Sequence, residues 1–161
     1  MIMATLTLRV DSAHHMGELG AALAGQVRTG ECVALRGDLG AGKTTFARGF
    51  IRSLSGQEEE IVSPTFTLVQ SYDARDGRQI WHFDLYRLEH ERETQEIGFD
   101  DALASGISLV EWPEIVRHRL PSSALDVHIA YVDADGARSM TLKGDAAVWS
   151  ERFNQLEAHA R

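Results

Sequence analysis

A chain of 161 residues with 43% hydrophobic content can bury one sizeable core and leaves little room for a second. Its 16 basic and 24 acidic residues leave a net charge of −8, which sets the surface as a whole against a phosphate backbone and disfavours a free-standing RNA binder. No apolar run approaches a membrane span, MIMATLTLRV lacks the basic flank and cleavage site of a secretory signal, and the single cysteine, Cys32, can form neither an internal disulfide nor a multi-cysteine metal site. The expectation is one domain over residues 1–161, cytoplasmic and without membrane association, with Cys32 a small buried strand residue.

Along the chain, TLTLRV alternates as a strand does, and Asp11 or Ser12 then caps a helix whose apolar positions Met16, Leu19, Leu23 and Val27 recur at helical spacing until Thr29-Gly30. ECVALR reads as a buried parallel strand, a glycine-rich stretch follows, and helical spacing resumes from Thr45 to Leu54. TFTLVQSY and QIWHFDLY alternate on either side of the turn DARDG, which predicts an antiparallel hairpin. ERETQEIGFDDALAS predicts a helix, ISLVEW a buried strand, and PEIVRHRL a short helix opening on Pro113. ALDVHIAYV and ARSMTLKG flank DADG as a second hairpin, and Trp149, Phe153 and Leu156 give the last helix its apolar stripe. The fold class is α/β: a P-loop NTPase-like sheet with central parallel strands, antiparallel edge hairpins and helices on both faces.

The glycine-rich stretch GDLGAGKTT carries the chemistry. Gly37, Gly42, Lys43 and Thr44 satisfy G-x-x-x-x-G-K-[ST] in the strand, loop and helix context that the motif requires. There the glycines let backbone N–H groups converge on phosphates, Lys43 reaches the β and γ phosphates, and the Thr44 hydroxyl ligates Mg²⁺. A nucleotide site also needs carboxylates at the carboxyl ends of strands, and two fit: Asp84 after IWHF and Glu111 after ISLV. Each either serves the cation, directly or through water, or orients the attacking water; the alternative is a strand-end acid that caps a neighbouring helix. Thr65 in SPTF is a candidate γ-phosphate sensor, and a turn before a strand explains the same residues. His82 reads as a packed strand histidine rather than a base. Asp100, Asp101 and the EEE run read as solvated faces. The only asparagine, Asn154, is followed by Gln155, so the N-K-x-D segment of guanine readers is absent; ATP is the expected nucleotide, its adenine held by apolar contact near the first strand and helix.

GDLGAGKTTFARGF, SPTFTLV, HFDLYRL and LVEWPE, in this order, resemble the TsaE family (formerly YjeE), ATPases of tRNA threonylcarbamoyladenosine synthesis. The resemblance spans nearly the whole chain; the first helix, the last hairpin and the last helix match in pattern only. It implies a partner of the TsaD and TsaB proteins that hydrolyses ATP with Mg²⁺ to support their repeated turnover, meeting tRNA only through that complex. It also implies that Leu39, Gly40, Ala41, Gly42, Lys43, Thr44 and Thr45 wrap the phosphates, that Thr44 and Glu111 serve Mg²⁺, and that Asp84 is the second essential acid beside Lys43. Thr65 and Trp112 would lie in segments that respond to nucleotide or partner. Two rival classes are a small-molecule kinase on the same loop, for which no lid segment or acceptor motif is visible, and a nucleotide-gated binding module with negligible turnover.

Overall fold

The computed structural model describes residues 1–56, 61, 62, 64, 65, 67–132 and 136–160. Its strands are β1 (Met3–Val10), β2 (Cys32–Arg36), β3 (Val69–Asp73), β4 (Gln79–Asp84), β5 (Ile107–Glu111), β6 (Leu125–Tyr131) and β7 (Arg138–Asp145). Its α-helices are α1 (Ala13–Ala24), α2 (Lys43–Ser55), α3 (Phe99–Ser105) and α4 (Ala146–His159), with 3₁₀ turns at Glu91–Ile97 and Pro113–Val116.

One sheet runs in the order β1-β7-β6-β2-β5-β4-β3. Its centre is parallel: β2 pairs with β5 and with β6, and β5 pairs with β4. The edges are antiparallel, with β3 on β4 and β1 on β7, which itself returns against β6. This is the arrangement expected for a P-loop NTPase-like sheet. Period-two alternation splits the strands between two cores. Val33, Leu35, Ile80, Leu109 and Val127 face Phe46, Phe50, Leu23 and Trp149 of α1, α2 and α4. Cys32, Phe83 and Val110 face Phe99 and Leu103 of α3 on the other side. Cys32 is fully buried, and burial pushes its thiol up to about 12.

Close approach of α1 to α2 depends on Gly49, where an added Cβ would stand 2.1 Å from the carbonyl oxygen of Gly17. Helix α1 is capped by Ser12, whose side chain accepts from the His15 amide, and it stops at Gly25 rather than Gly30. Val27 is therefore buried outside the helix. The helix expected over residues 91–105 divides at Gly98, whose φ of 70° ends the 3₁₀ turn and starts α3 in a new direction. Strand β3 begins only at Val69, because Leu68 takes a φ of 67° and its amide donates to the Pro64 carbonyl. The segment opening on Pro113 closes after one 3₁₀ turn. The EEE run, two residues of SPTF (Ser63 and Phe66) and the first three of DADG lie outside the described residues. Asp101 is exposed, whereas Asp100, also largely exposed, pairs with Arg119 at 2.5 Å.

Candidate functional site

Strands β2, β4 and β5 run parallel, so their carboxyl ends open on one edge of the sheet, the edge where ligands of open α/β folds bind. The loop from Gly37 to Gly42 leaves β2 there and turns into α2. Gly42 sits at the helix N-cap with φ 118°, a conformation that a side chain opposes, and a Cβ there would meet the Met16 side chain at 2.9 Å. No side chain caps α2 and no acid lies in its first turn, so the positive end of the helix faces the loop.

The side chains expected at a phosphate site converge on this edge. Asp84 and Glu111 are register partners at the ends of β4 and β5, which puts two carboxylates side by side on the face that α2 covers. Both are almost completely buried. The Thr44 hydroxyl donates to Glu111 Oε1 at 2.9 Å, and the Thr65 hydroxyl donates to Asp84 Oδ2 at 3.1 Å. Asp84 Oδ1 accepts from the Tyr86 amide at 3.1 Å. Lys43 is buried; its Nζ donates to the carbonyls of Gly37 at 2.5 Å and Asp38 at 2.9 Å and lies 4.2 Å from the centre of the Trp112 ring. Burial lowers the Lys43 ammonium below its ordinary range, and the Glu111 and Asp84 carboxylates oppose that fall. Leu39, Gly40, Gly42, Lys43, Thr44, Thr45, Thr65, Asp84, Glu111 and Trp112 line one cavity of about 230 Å³. Ala41 lies behind it, buried, its carbonyl accepting from Arg138 Nε at 3.1 Å.

Three contributions lie beyond the sequence reading. His82 is fully buried, and its Nε2 lies 2.6 Å from Glu111 Oε2. Alternation along β4 is the one signal that placed His82 and Asp84 on the same face. Arg138 and Tyr131 reach the loop from the β6–β7 ends: Tyr131 donates to the Leu39 carbonyl at 3.3 Å, and the Arg138 guanidinium stacks 4.0 Å from the Tyr131 ring. Tyr86 packs at 4.8 Å against Trp112, which itself holds φ at 56°.

The donor set fits a hard dication shared with a ligand rather than a metal caged by protein. Among the described residues, no group of three or more His, Cys, Asp or Glu side chains is arranged to hold an ion. Two carboxylates and a hydroxyl beside a loop of backbone donors match Mg²⁺, which keeps waters and takes phosphate oxygens. No described helix is long and apolar enough to cross a membrane.

Comparison with known proteins gives the family. The family model described as "Threonylcarbamoyl adenosine biosynthesis protein TsaE" matches residues 10–140. The chain is 38% identical to the tRNA threonylcarbamoyladenosine biosynthesis protein TsaE of Bacillus subtilis over 155 residues, 95% of this chain and 92% of that one. It is 40% identical to the protein of the same name from Rickettsia conorii, over 77% of this chain and 70% of that one. A crystal structure of Bacillus subtilis YdiB superposes with a TM-score of 0.80 at 28% identity, covering 100% of this chain and 99% of the other. The family model spans the loop and both strand-end acids, and the chain belongs to the TsaE family of threonylcarbamoyl adenosine biosynthesis proteins.

Proposed function

We propose that the chain binds ATP with Mg²⁺ at the edge of β2, β4 and β5, hydrolyses it, and by that cycle supports threonylcarbamoyladenosine formation on tRNA by the TsaD and TsaB proteins. The observation that carries the reading is the Thr44 hydroxyl bound to Glu111 at the mouth of the glycine loop, with Asp84 in register beside it.

The amides of the loop and of the first turn of α2 hold the phosphates, and Lys43 exchanges its two carbonyl acceptors for β- and γ-phosphate oxygens. Thr44 gives its only proton to Glu111, so the hydroxyl lone pairs are left for the cation. Thr44, with Glu111 and Asp84 behind it, would hold Mg²⁺, whose charge would offset the negative charge that develops on the phosphates. Asp84 stands next to Glu111 and is available to orient the attacking water, while Thr65, bound to Asp84, is placed to sense the γ-phosphate. Beyond the phosphates, a second cavity of about 160 Å³ between Val10, Met16 and Arg138 shares Gly40, Gly42 and Thr45 with the first. Its apolar wall at the end of β1 and the start of α1 suits an adenine ring.

Nucleotide state reaches the partners through the rim. Trp112 touches Lys43 and Tyr86, and Leu39 and Tyr86 are exposed beside them, so a change at the γ-phosphate alters a partly apolar surface. A cytoplasmic location and tRNA contact through the partners accord with the acidic net charge. Single-turnover reaction with labelled ATP, with and without TsaD and TsaB, tests the reading by its product. Free phosphate is expected; a phosphorylated small molecule would make the chain a kinase, and unchanged ATP in both arms would make it a binding module.

A further inference from the structure

We propose that His82 is a positioning residue for the phosphate site, donating from Nε2 to Glu111 Oε2 and so fixing the carboxylate whose other oxygen orients the Thr44 hydroxyl; this rests on the reading of the cavity as a nucleotide and Mg²⁺ site.

The geometry is a relay across three elements. His82 on β4 is in register with Leu109, two residues before Glu111 on β5, and alternation puts His82 and Glu111 on the same face of the sheet. The ring is fully buried, its Nε2 lies 2.6 Å from Glu111 Oε2, and its Nδ1 has no hydrogen-bond partner among the described residues. A side chain present only to fill space there would be better apolar, because a buried imidazole that satisfies one nitrogen leaves the other desolvated without return. Among the described residues, the one polar contact of the ring goes to Glu111. A carboxylate oxygen can only accept, so Nε2 carries the proton of this bond.

Glu111 is then held at both ends. Oε2 is occupied by His82 and Oε1 by Thr44, so neither oxygen can turn away without breaking a buried bond. Thr44, its proton committed to Glu111, keeps its lone pairs toward the cavity that Lys43 and Asp84 also line. Without the imidazole the carboxylate gains a second orientation, and the hydroxyl loses its fixed acceptor. Outer-sphere partners of this kind set the orientation of the groups that meet a metal, and their loss weakens metal affinity by about 10- to 100-fold.

Two amides of different reach test the proposal. His82→Gln places a donor near the Nε2 position, whereas His82→Asn places it near Nδ1 and leaves Glu111 Oε2 without one. Binding of the non-hydrolysable ATP analogue AMPPNP to the full-length chain is measured by calorimetry in Mg²⁺ and in EDTA. Wild type should bind more tightly in Mg²⁺, and His82→Gln should keep that gain within about threefold. His82→Asn should lose at least about tenfold of it, with affinity in EDTA unchanged. In a Glu111→Gln background, His82→Asn should cause no further loss. If the buried Asn prevents folding, the apolar His82→Leu takes its place under the same criteria. Retention of the full gain by His82→Asn, equal losses in Mg²⁺ and EDTA, or identical behaviour of the two amides overturns the proposal while leaving the nucleotide site standing. A wild-type chain with no Mg²⁺-linked gain overturns the underlying reading as well.

Discussion

Glu111 carries more of the proposed chemistry than any other single side chain, since it joins β5, the Thr44 hydroxyl and His82. Replacing its carboxylate by an amide in Glu111→Gln keeps the size and removes the charge that a hard dication favours. The expected result is a loss of Mg²⁺-dependent AMPPNP affinity on the order of 10- to 100-fold with a melting temperature that still reports a folded chain. Asp84→Asn should lower ATP turnover more than nucleotide affinity, because among the described residues the Asp84 carboxylate bonds to the Thr65 hydroxyl and the Tyr86 amide rather than to the glycine loop. Steady-state phosphate release and calorimetry on the same two variants check both statements. Lys43, Thr44, Asp84 and Glu111 are legible in the sequence because the loop motif and the strand-end rule fix residue type and place together. The partner of His82 is not, since a histidine between apolar residues acquires its neighbour only when β4 is laid beside β5. Cys32 gives a simple control at the same scale. With its thiol fully buried and pushed up to about 12, it should resist a thiol-reactive dye in native buffer at pH 8 and react once the chain is unfolded.

At the level of elements, local pattern and tertiary pairing contributed differently. The apolar runs of β2 and β5, the alternation of β4 and the spacing of α2 are local, and they reappear within a residue or two of the boundaries read from sequence, while the stripe of Trp149, Phe153 and Leu156 is the buried face of α4. The deviations come from backbone conformations that hydrophobic spacing does not encode: φ of 67° at Leu68 delays β3, and φ of 70° at Gly98 divides the segment before β5. Position in the sheet was also hidden. Nothing local in TLTLRV announces that β1 will pair with β7, more than a hundred residues away, or that β6 will lie parallel to β2. Helix packing yields a test of its own. Because a Cβ at Gly49 would stand 2.1 Å from the Gly17 carbonyl, Gly49→Ala must push α1 off α2 and should cost about 1–3 kcal/mol. For a chain of this size that is roughly 2–4 °C of melting temperature per kcal/mol, read by calorimetry. An unchanged midpoint would mean that the two helices separate freely.

For the molecule as a whole, the proposed cycle requires the phosphate edge to be both a chemical site and a signal. SPTF reaches it through Thr65 on Asp84, and the segment after β5 reaches it through Trp112 on Lys43. On the proposed reading a γ-phosphate would compete for the same groups, so ATP and ADP should leave different surfaces at the rim. Thr65→Ala should therefore keep AMPPNP affinity within about threefold, because the glycine loop and Lys43 dominate it, while losing most of the ATP-dependent association with TsaD and TsaB. Titrating nucleotide and partner proteins separately against the variant distinguishes the two effects, and a wild-type partner response would leave Thr65 with a turn-forming role only. In the proposed cycle Lys43 and its loop turn over ATP in the service of those partners. This turnover is tested most directly by phosphate release from Mg²⁺-ATP by the wild-type chain and by Lys43→Ala, each mixed with TsaD and TsaB. Release by the wild type is expected, with a fall on the order of 10²- to 10³-fold in a Lys43→Ala chain that remains folded. Equal release by the two chains, or none by the wild type, would contradict the proposed cycle.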